Sequence, residues 1–385
     1  MPPIILSGMR VALVTESFLP LVNGVANSVV RTAEHLLQRG HQPIVIAARH
    51  TDRTPVDVPY PVYRISSVPM PGYPELRLGL PTPTLAAAMR AHRTDVVHLA
   101  SPFFLGAWGA SAARSLRLPM VAVYQTDIAA YAKLYHLGMT ERAACSWIRK
   151  VHNKADRTLV PSTVSAAALT AHGVDRLHIW RRGVDDVRFH PRHRDEDLRR
   201  RLAPNGEVIV GFIGRLAVEK QVDLLAGVSR LPGVRLVVVG DGPAAGDLHK
   251  ALPEATFLGV KHGEELSRLY ASLDVFAHTG PYETFGQAIQ EAMASGVPVV
   301  APAAGGPLDL VHHDLTGLLV PPFVERGFTD AVAGLVADSG RRAAYGVAGR
   351  AAIEGRSWSA VGDELIDHYR AVLETTTAPV LATAA

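Results

Sequence analysis

Short runs of apolar, β-branched residues recur along this chain, each separated from the next by a longer segment of helical periodicity. In the first half these runs lie at residues 10–15, 44–47, 95–99, 120–124, 157–160 and 177–180. Strands that are apolar on both faces and alternate with helices are typical of a parallel sheet with helices on both sides. The pattern therefore predicts a doubly wound α/β fold.

The alternation stops at residues 190–206, where Pro191 precedes a run of charged residues. It resumes with apolar runs at 208–213, 236–239, 255–258, 275–277 and 297–300. A chain of 385 residues is long enough for two domains of ordinary size. We therefore expect two Rossmann-like domains facing across a cleft, residues 1–189 and 207–355, with residues 190–206 as the linker.

Composition excludes several classes of protein. Hydrophobic residues make up 48% and charged residues 19% of the chain, which argues against disorder or a fibre. No apolar run approaches the ~20 residues of a membrane span, and the first residues lack the basic segment of an export signal. The single cysteine, Cys145, cannot form an internal disulfide, which fits a reducing compartment. We expect a globular protein of the cytoplasm.

Charge is divided unevenly between the two halves. Residues 1–190 contain 21 Lys and Arg against 12 Asp and Glu, whereas residues 191–385 contain 18 against 24. A basic first half could face an anionic membrane, or it could simply be a solvated surface. In the segment 147–154 several cations flank Trp147, which could lie at a membrane interface or pack inside its domain.

The loops that follow strands are where an open α/β sheet binds its ligands. In the second half, Gly214-Arg215 and Lys220 follow the first strand, and a Gly-Asp-Gly turn around Asp241 follows the next. Two cations at a strand end suit a diphosphate, although a pair of ordinary surface cations is an alternative. The glycines would let the backbone approach a ligand closely.

The most informative segment runs from His278 into a predicted helix. Glu283 is placed at the helix start and Glu291 eight residues later, about 12 Å along the axis and on one side. That span fits a nucleotide sugar, with one carboxylate near the sugar and the other near the ribose. Thr284, Phe285 and Gly286 lead into the helix, whose start could hold phosphate. The alternative is two glutamates on a solvated helix face.

The first half carries a matching set of candidates. Gly24 lies in the loop after the first strand, where it would let phosphate reach the backbone, and Gln125 and Asp127 follow the strand that ends at residue 124. His98 lies inside a strand, where a histidine usually has a structural role. No G-x-G-x-x-G motif is present, which argues against a dehydrogenase.

Metal-binding patterns are also missing from the sequence. There is no H-E-x-x-H motif and no cysteine cluster, and Asp195-Glu196-Asp197 is interpreted as a helix N-terminus. We therefore expect neither a metal nor an obligatory cofactor.

Taken together, these segments resemble the retaining glycosyltransferases of family four, which have the GT-B fold. The resemblance covers residues 9 to 373 and rests on the motifs Asn23-Gly24-Val25, Arg182-Gly183-Val184-Asp185, Gly214-Arg215 with Glu219-Lys220, Gly240-Asp241-Gly242 and Glu283 with Glu291. Three further segments, 15–20, 97–102 and 124–127, are similar to GDP-mannose-dependent lipid mannosyltransferases that act on phosphatidylinositol or diacylglycerol glucuronide.

The resemblance implies a role for each site residue. Arg215 and Lys220 would neutralise the donor diphosphate, which Gly24 would approach from the other domain. Glu283 would hold hydroxyls of the donor sugar and Glu291 the ribose. Backbone around Val260 and Lys261 would contact the base. Many members have a histidine where Gln125 stands, so Gln125 or Asp127 would serve on that side.

The resemblance also implies an activity and a domain arrangement. We expect transfer of mannose from GDP-mannose to a glycolipid or phosphoinositide with retention of configuration, at the inner face of the membrane and without a nucleic-acid partner. A C-terminal helix, residues 356–374, would pack back on the first domain, followed by a disordered tail, residues 375–385. The alternatives are a UDP-sugar transferase acting on a soluble acceptor, a sugar-nucleotide epimerase and a non-catalytic binder.

Overall fold

The computed structural model describes residues 8–21, 23–51, 56–70, 73–125 and 141–377. The chain divides into two compact units. The first comprises residues 1–181 and 359–385, and the second comprises residues 182–358. Each unit contains one parallel sheet, so the predicted α/β class is confirmed.

The first unit is built on a sheet of seven parallel strands in the order β3-β2-β1-β6-β7-β8-β9. Its strands are β1 Arg10–Thr15, β2 Gln42–Ala48, β3 Val62–Ile65, β6 Val96–Leu99, β7 Met120–Val123, β8 Arg157–Val160 and β9 Leu177–Ile179. A separate antiparallel pair is formed by β4 Ser67–Met70 and β5 Tyr73–Gly79. β1 and β2 are almost fully buried, as expected for strands covered on both faces.

Helices flank this sheet at Gly24–Gln38, Thr84–Ala91, Leu105–Ser115, Glu141–His152 and Thr163–Ala171. The first of them begins at a side-chain cap, because Asn23 accepts hydrogen bonds from the N–H groups of Val25 and Ala26. It packs Val29, Ala33 and Leu36 into the core beside β1. The chain leaves it through Gly40 at a φ of 78°.

The C-terminal helix, Trp358–Thr377, belongs to the first unit from Ser359 onward. It contributes Val361, Leu365 and Tyr369 to the core that also contains β1. On the rim, Asp363 accepts hydrogen bonds from Arg39 and faces His35 at 2.9 Å. The helix extends three residues into the segment predicted as a tail, and residues 378–385 lie outside the described part of the chain.

The second unit contains six parallel strands in the order β12-β11-β10-β13-β14-β15. They are β10 Val208–Ile213, β11 Val234–Val239, β12 Thr256–Phe257, β13 Val275–Ala277, β14 Val299–Pro302 and β15 Gly317–Val320. Its α-helices are Glu196–Leu202, Ala226–Ser229, Ala245–Ala251, Gly263–Ser272, Gln287–Ala294, Pro307–Leu310, Glu325–Ala337 and Ser339–Ala352. Short 3₁₀ turns lie at Pro191–His193, Val218–Lys220 and Val222–Leu225.

Residues 190–206 are part of the second unit and not a linker between two units. Asp195 caps the helix Glu196–Leu202, in agreement with its interpretation as a helix N-terminus. Arg194 and Arg199 both bind the carboxylate of Asp274 just before β13, at 3.1 and 3.0 Å. These ion pairs fix the segment to the sheet, so the charged run that suggested a linker is used for packing.

Candidate active site

The candidate site of the second unit lies at the carboxyl edge of its sheet. β10 pairs with β11 on one side and with β13 on the other, so the loops that follow these three strands are neighbours. Arg215 follows β10, Asp241 follows β11 and His278 follows β13. An open parallel sheet binds ligands at this edge.

Two glycines let the loops after β10 and β11 touch. Gly240 and Gly242 have φ values of 135° and 159°. A Cβ on Gly240 would lie 1.9 Å from the carbonyl oxygen of Gly214, and one on Gly242 would lie 2.3 Å from that of Leu216. The Gly-Asp-Gly turn is therefore required for backbone packing. Asp241 itself is exposed, and its carboxylate accepts a hydrogen bond from the N–H of Gly242.

Lys220 and Glu283 form an ion pair at the centre of this edge. The ammonium of Lys220 donates to Oε1 of Glu283, and each side chain is 20% exposed. Lys220 is further fixed through its backbone, since the hydroxyl of Thr279 donates to its carbonyl oxygen at 2.6 Å. The two residues predicted to hold the diphosphate and the sugar are thus in direct contact.

Glu283 faces two further basic side chains. Nε2 of His278 lies 3.5 Å from Oε1 of Glu283, and the guanidinium of Arg182 interacts electrostatically with the same carboxylate. Burial by itself would raise the pKa of Glu283, but Lys220, His278 and Arg182 together hold it below its usual value. Burial lowers the pKa of Arg182 to about 10 and that of His278 to about 4. At neutral pH the carboxylate is charged and the His278 ring is neutral.

The expectation that Glu283 starts the helix is wrong. The helix that contains Glu291 spans Gln287–Ala294, and Gly286 precedes it at a φ of 100°. Glu283 lies in the preceding loop, where its carbonyl oxygen accepts a hydrogen bond from the N–H of Gly306 at 2.7 Å. The left-handed Gly286 turns the chain before the helix begins, so one helical axis does not relate the two carboxylates.

Glu291 is surrounded by a separate set of polar side chains. The hydroxyl of Tyr270 and the side chain of Gln287 hydrogen-bond its carboxylate, and Arg188 contributes a positive charge. Burial nevertheless raises the pKa of Glu291 to about 7. Burial and the facing carboxylate also raise the pKa of Tyr270. Glu291 therefore changes charge near neutral pH.

The other residues predicted for the site of this unit differ in exposure, and not all of their side chains are able to reach a ligand. Gly214, Arg215 and Thr284 are half-buried at the strand-end edge. The side chain of Phe285 is only 3% exposed and belongs to the hydrophobic core, which leaves its backbone as the part able to reach a ligand. After β12, Val260 is exposed and Lys261 pairs with Glu265 at 2.6 Å.

In the first unit, two of the three predicted residues are described. Gly24 is exposed at the start of the helix that Asn23 caps. Gln125 follows β7, and its amide donates to the carbonyl oxygen of Ala100 at 2.7 Å, which ties two strand-end loops together. Asp127 lies outside the described residues.

Sequence reasoning missed the polar side chains that surround the two glutamates. His278 and Arg182 were noticed only as members of motifs, and Tyr270 was not singled out. A histidine directly after a buried strand, beside a Gly-Pro turn, is the signal that could have identified His278. In the described parts of the chain, no group of three or more His, Cys, Asp or Glu side chains is arranged to hold a metal ion.

A second feature of the first unit is the basic helix, Glu141–His152. Arg142, Arg149 and Lys150 are exposed along one face. Of the two alternatives for Trp147, the structure shows the packed one, because its indole N–H donates to the carbonyl oxygen of Phe103 at 3.2 Å. Within the described ranges, no helix combines the length and the apolar character needed to cross a bilayer.

Comparison with known proteins places this site in a family context. The family model described as Glycosyltransferase Family 4 matches residues 22–188, and the model of glycosyl transferases group 1 matches residues 207–338. Together the two matches cover both units, including the strand-end edge that carries Lys220 and Glu283.

Curated relatives match nearly the whole chain. A GDP-mannose-dependent alpha-mannosyltransferase of Mycobacterium tuberculosis is 50% identical over 95% of this chain and 97% of the relative. A protein of the same name from Corynebacterium glutamicum is 44% identical over 96% of this chain and 90% of the relative. Among solved structures, the sucrose-phosphate synthase of Thermosynechococcus elongatus shares the fold, with a TM-score of 0.79, 21% identity, and coverage of 95% and 100%.

Proposed function

Because this chain belongs to Glycosyltransferase Family 4 and has the GT-B fold, we propose that it transfers mannose from GDP-mannose to a lipid hydroxyl with retention of configuration. The observation that carries the donor assignment is the 50% identity, over 95% of the chain, to a relative named for GDP-mannose. The Lys220–Glu283 pair and Glu291 supply charges of the kind that such a donor needs.

The reaction forms a bond between the acceptor oxygen and C1 of mannose while the bond from C1 to the diphosphate breaks. The bonding electrons leave with GDP, and the acceptor attacks the face from which GDP departs. The acceptor hydroxyl transfers its proton to the departing diphosphate oxygen. This scheme needs no enzymic nucleophile, and it gives retention because attack and departure share one face.

The protein contributes mainly electrostatic stabilisation of the leaving group. In this proposal Arg215 and Lys220 bind the diphosphate, which gains negative charge as the bond to mannose breaks. Fixed positive charges at that position stabilise the transition state more than the ground state. Arg182, which is half-buried and interacts electrostatically with the Glu283 carboxylate, adds a further cation to this edge.

Two carboxylates would position the rest of the donor. Glu283, which its cations keep ionised, accepts hydrogen bonds from hydroxyls of mannose. Glu291 accepts hydrogen bonds from the ribose, and backbone near Val260 and Lys261 contacts guanine. Gly24 of the first unit would approach the diphosphate, and Gln125 or Asp127 would face the sugar. These roles follow the family pattern.

The acceptor is proposed to be a lipid at an anionic membrane surface. The basic helix exposes three cations without an acidic residue between Arg142 and Lys150. Lys154, just beyond it, donates to the hydroxyl of Ser111 at 3.0 Å, one helical turn from Trp108. Trp108 is 36% exposed, so an exposed aromatic ring lies one helical turn from the partner of Lys154, although Trp147 is turned inward.

A thermal-shift panel with GDP, UDP, GDP-mannose, UDP-glucose and UDP-N-acetylglucosamine tests the donor assignment. A ligand at a hundred times its Kd stabilises a protein by about 2.7 kcal/mol, a readily measured shift. We expect a shift with GDP and GDP-mannose alone. A response confined to uridine nucleotides would refute mannose and favour the UDP-sugar alternative.

Product analysis tests the acceptor and the stereochemistry. With GDP-mannose and vesicles containing phosphatidylinositol or diacylglycerol glucuronide, we expect labelled mannose in the lipid fraction. The anomeric proton of the product should report an α linkage, the configuration of the donor. A β product would refute the same-face mechanism. Conversion of the donor without any acceptor would instead favour an epimerase.

A further inference from the structure

His278 is a polar side chain that lies almost completely buried beside the candidate site. It follows β13 directly and is 3% exposed, although burying an imidazole is costly unless its nitrogen atoms are hydrogen-bonded. Its Nε2 faces two oxygens, the carbonyl oxygen of Gly280 at 3.2 Å and Oε1 of Glu283 at 3.5 Å. Its Nδ1 is buried and has no hydrogen-bond partner among the residues that the structure describes.

These contacts define the tautomer of the ring. A neutral imidazole carries one N–H, and both atoms that face Nε2 can only accept a hydrogen bond. The proton therefore lies on Nε2, and the bare lone pair of Nδ1 remains unpaired. Leaving a buried acceptor unpaired is costly. The fold tolerates that cost in order to direct an N–H toward Gly280 and Glu283.

Glu283 consequently has two unequal oxygens. Oε1 is the oxygen that accepts from Lys220, and it is also the oxygen that faces Nε2 of His278. Under the proposed function the ammonium of Lys220 also binds the donor diphosphate, which therefore competes with Glu283 for it. When Lys220 turns to the phosphate, a second side chain that remains in contact with Glu283 would keep the Glu283 carboxylate in its orientation.

We propose that His278 is a positioning residue that fixes Oε1 of Glu283 and thereby presents Oε2 to the donor sugar. The inference rests on the proposed function, because it assigns His278 to the sugar-binding part of that site. His278 touches neither the sugar nor the diphosphate in this scheme, and it acts through Glu283. Loss of its Nε2–H should therefore weaken binding of the sugar moiety and spare binding of the nucleotide.

Two substitutions separate this role from a general structural one. In His278→Gln the amide can donate from about the position of Nε2, whereas in His278→Asn the shorter amide resembles the Nδ1 edge and cannot. Calorimetry gives Kd for GDP and for GDP-mannose with the full-length protein. We expect the ratio of Kd for GDP to Kd for GDP-mannose to be retained in H278Q and to fall about tenfold in H278N, the size of effect expected when a polar contact to a charged group is lost.

The affinity for GDP should change less than twofold in both variants. If H278N keeps the wild-type ratio, or if its affinity for GDP falls as much as that for GDP-mannose, the inference is overturned. His278→Phe, which keeps the ring volume and lacks both nitrogens, must behave like H278N, and it replaces that variant if H278N does not fold. His152→Gln is a matched control, because His152 is also 3% exposed and neutral.

The experiment also distinguishes failure of the inference from failure of the proposed function. Wild-type protein that prefers a UDP sugar refutes the donor assignment only, and the same comparison with UDP and that sugar nucleotide then tests His278. Wild-type protein that binds no sugar nucleotide refutes both.

Discussion

The hydroxyl of Tyr369, on the C-terminal helix, lies 2.7 Å from Nδ1 of His98 on β6, although 271 residues separate the two in sequence. Both side chains are buried, and burial lowers the pKa of His98 to about 3. His98 is therefore neutral and accepts or donates within a fixed pair, which agrees with the structural role predicted for it. The pair joins the last helix to the middle of the first sheet.

Substitution Tyr369→Phe should destabilise the first unit without affecting the site of the second. It removes one hydroxyl and leaves the Nδ1 of His98 buried without its partner, a loss of about 1–3 kcal/mol. We expect a lower Tm, measured by circular dichroism, and an unchanged Kd for GDP. Tyr282→Phe, at a residue that is 37% exposed, is the control and should leave Tm unchanged. Equal Tm values for both variants would contradict the prediction.

Acid should destabilise the protein below about pH 6.5. Burial lowers the pKa of His98 to about 3 and those of His152, His278 and His368 to about 4, and it raises those of Glu16 and Glu291 to about 7. Between pH 6.5 and 4.5 the unfolded chain gains protons on four histidines, while the native state holds protons on two carboxyls that the unfolded chain has released. The unfolded state thus binds about two more protons, so unfolding becomes easier by about 3 kcal/mol per pH unit.

The measurement is Tm from pH 7.5 to 4.5, which should fall as pH falls and level off above pH 7. His152→Gln removes one of the four histidine titrations and retains a polar group beside Thr158, so its Tm should depend less steeply on pH. A Tm that rises on acidification would mean that the two carboxyls dominate.

Loss of the cations at the strand-end edge should reduce turnover. Arg215→Ala or Lys220→Ala should each lower kcat/KM on the order of 10²–10³-fold, because each removes a charge that stabilises the leaving diphosphate. Lys250→Ala, an exposed substitution in the same unit, should have no effect. Unchanged kcat/KM in the double variant, Arg215→Ala with Lys220→Ala, would exclude these residues from the chemistry.

Donor binding should depend on pH through Glu291. Its pKa of about 7 means that the carboxylate is lost as pH falls through neutrality, and with it the acceptor proposed for the ribose hydroxyls. We expect Kd for GDP to rise below pH 7 by up to about tenfold per unit, the limit for one proton. Calorimetry on Glu291→Gln should show weaker binding at pH 8 and a flatter profile. The pKa of Glu283 is lowered, so it stays ionised across this range.

Charge reversal on the basic helix should weaken membrane binding. Arg149→Glu with Lys150→Glu removes two exposed cations and adds two anions, and each cation near an anionic surface contributes about 1 kcal/mol. Co-sedimentation with anionic vesicles at low salt should fall at least tenfold. Lys250→Glu with Arg326→Glu makes the same change in net charge on the second unit and should not reduce binding. Equal losses for both pairs would indicate an effect of net charge alone.

Most strands of the two sheets could be predicted from the sequence because these strands are apolar on both faces. Runs such as Arg10–Thr15 and Val208–Ile213 coincide with β1 and β10. Two of the four edge strands of these sheets were missed: β3 contains Arg64 and is only half-buried, and β15 begins with a glycine. In these two strands a charged residue or a glycine interrupts or shortens the apolar run on which the strand prediction depended.

The candidate site was predictable as a set of residues but not as a geometry. Strand-end position identified Lys220 and Glu283, whereas helical spacing misplaced Glu283, because the left-handed Gly286 ends the regular backbone before the helix starts. The ion pair between them, and His278 beside it, arise from packing of two loops that are about sixty residues apart in sequence. A pattern within one segment carries no information about such contacts.

The assignment of the C-terminal helix to the first unit also orders the events of biosynthesis. Residues 1–181 emerge from the ribosome first, yet Val361, Leu365 and Tyr369 complete their core only after the whole second unit has been translated. At 5–20 residues per second that interval is about 10–40 s. Throughout it the apolar face that the last helix will cover is open to chaperones and to other nascent chains, whereas the second unit, continuous in sequence, can close as soon as it is made.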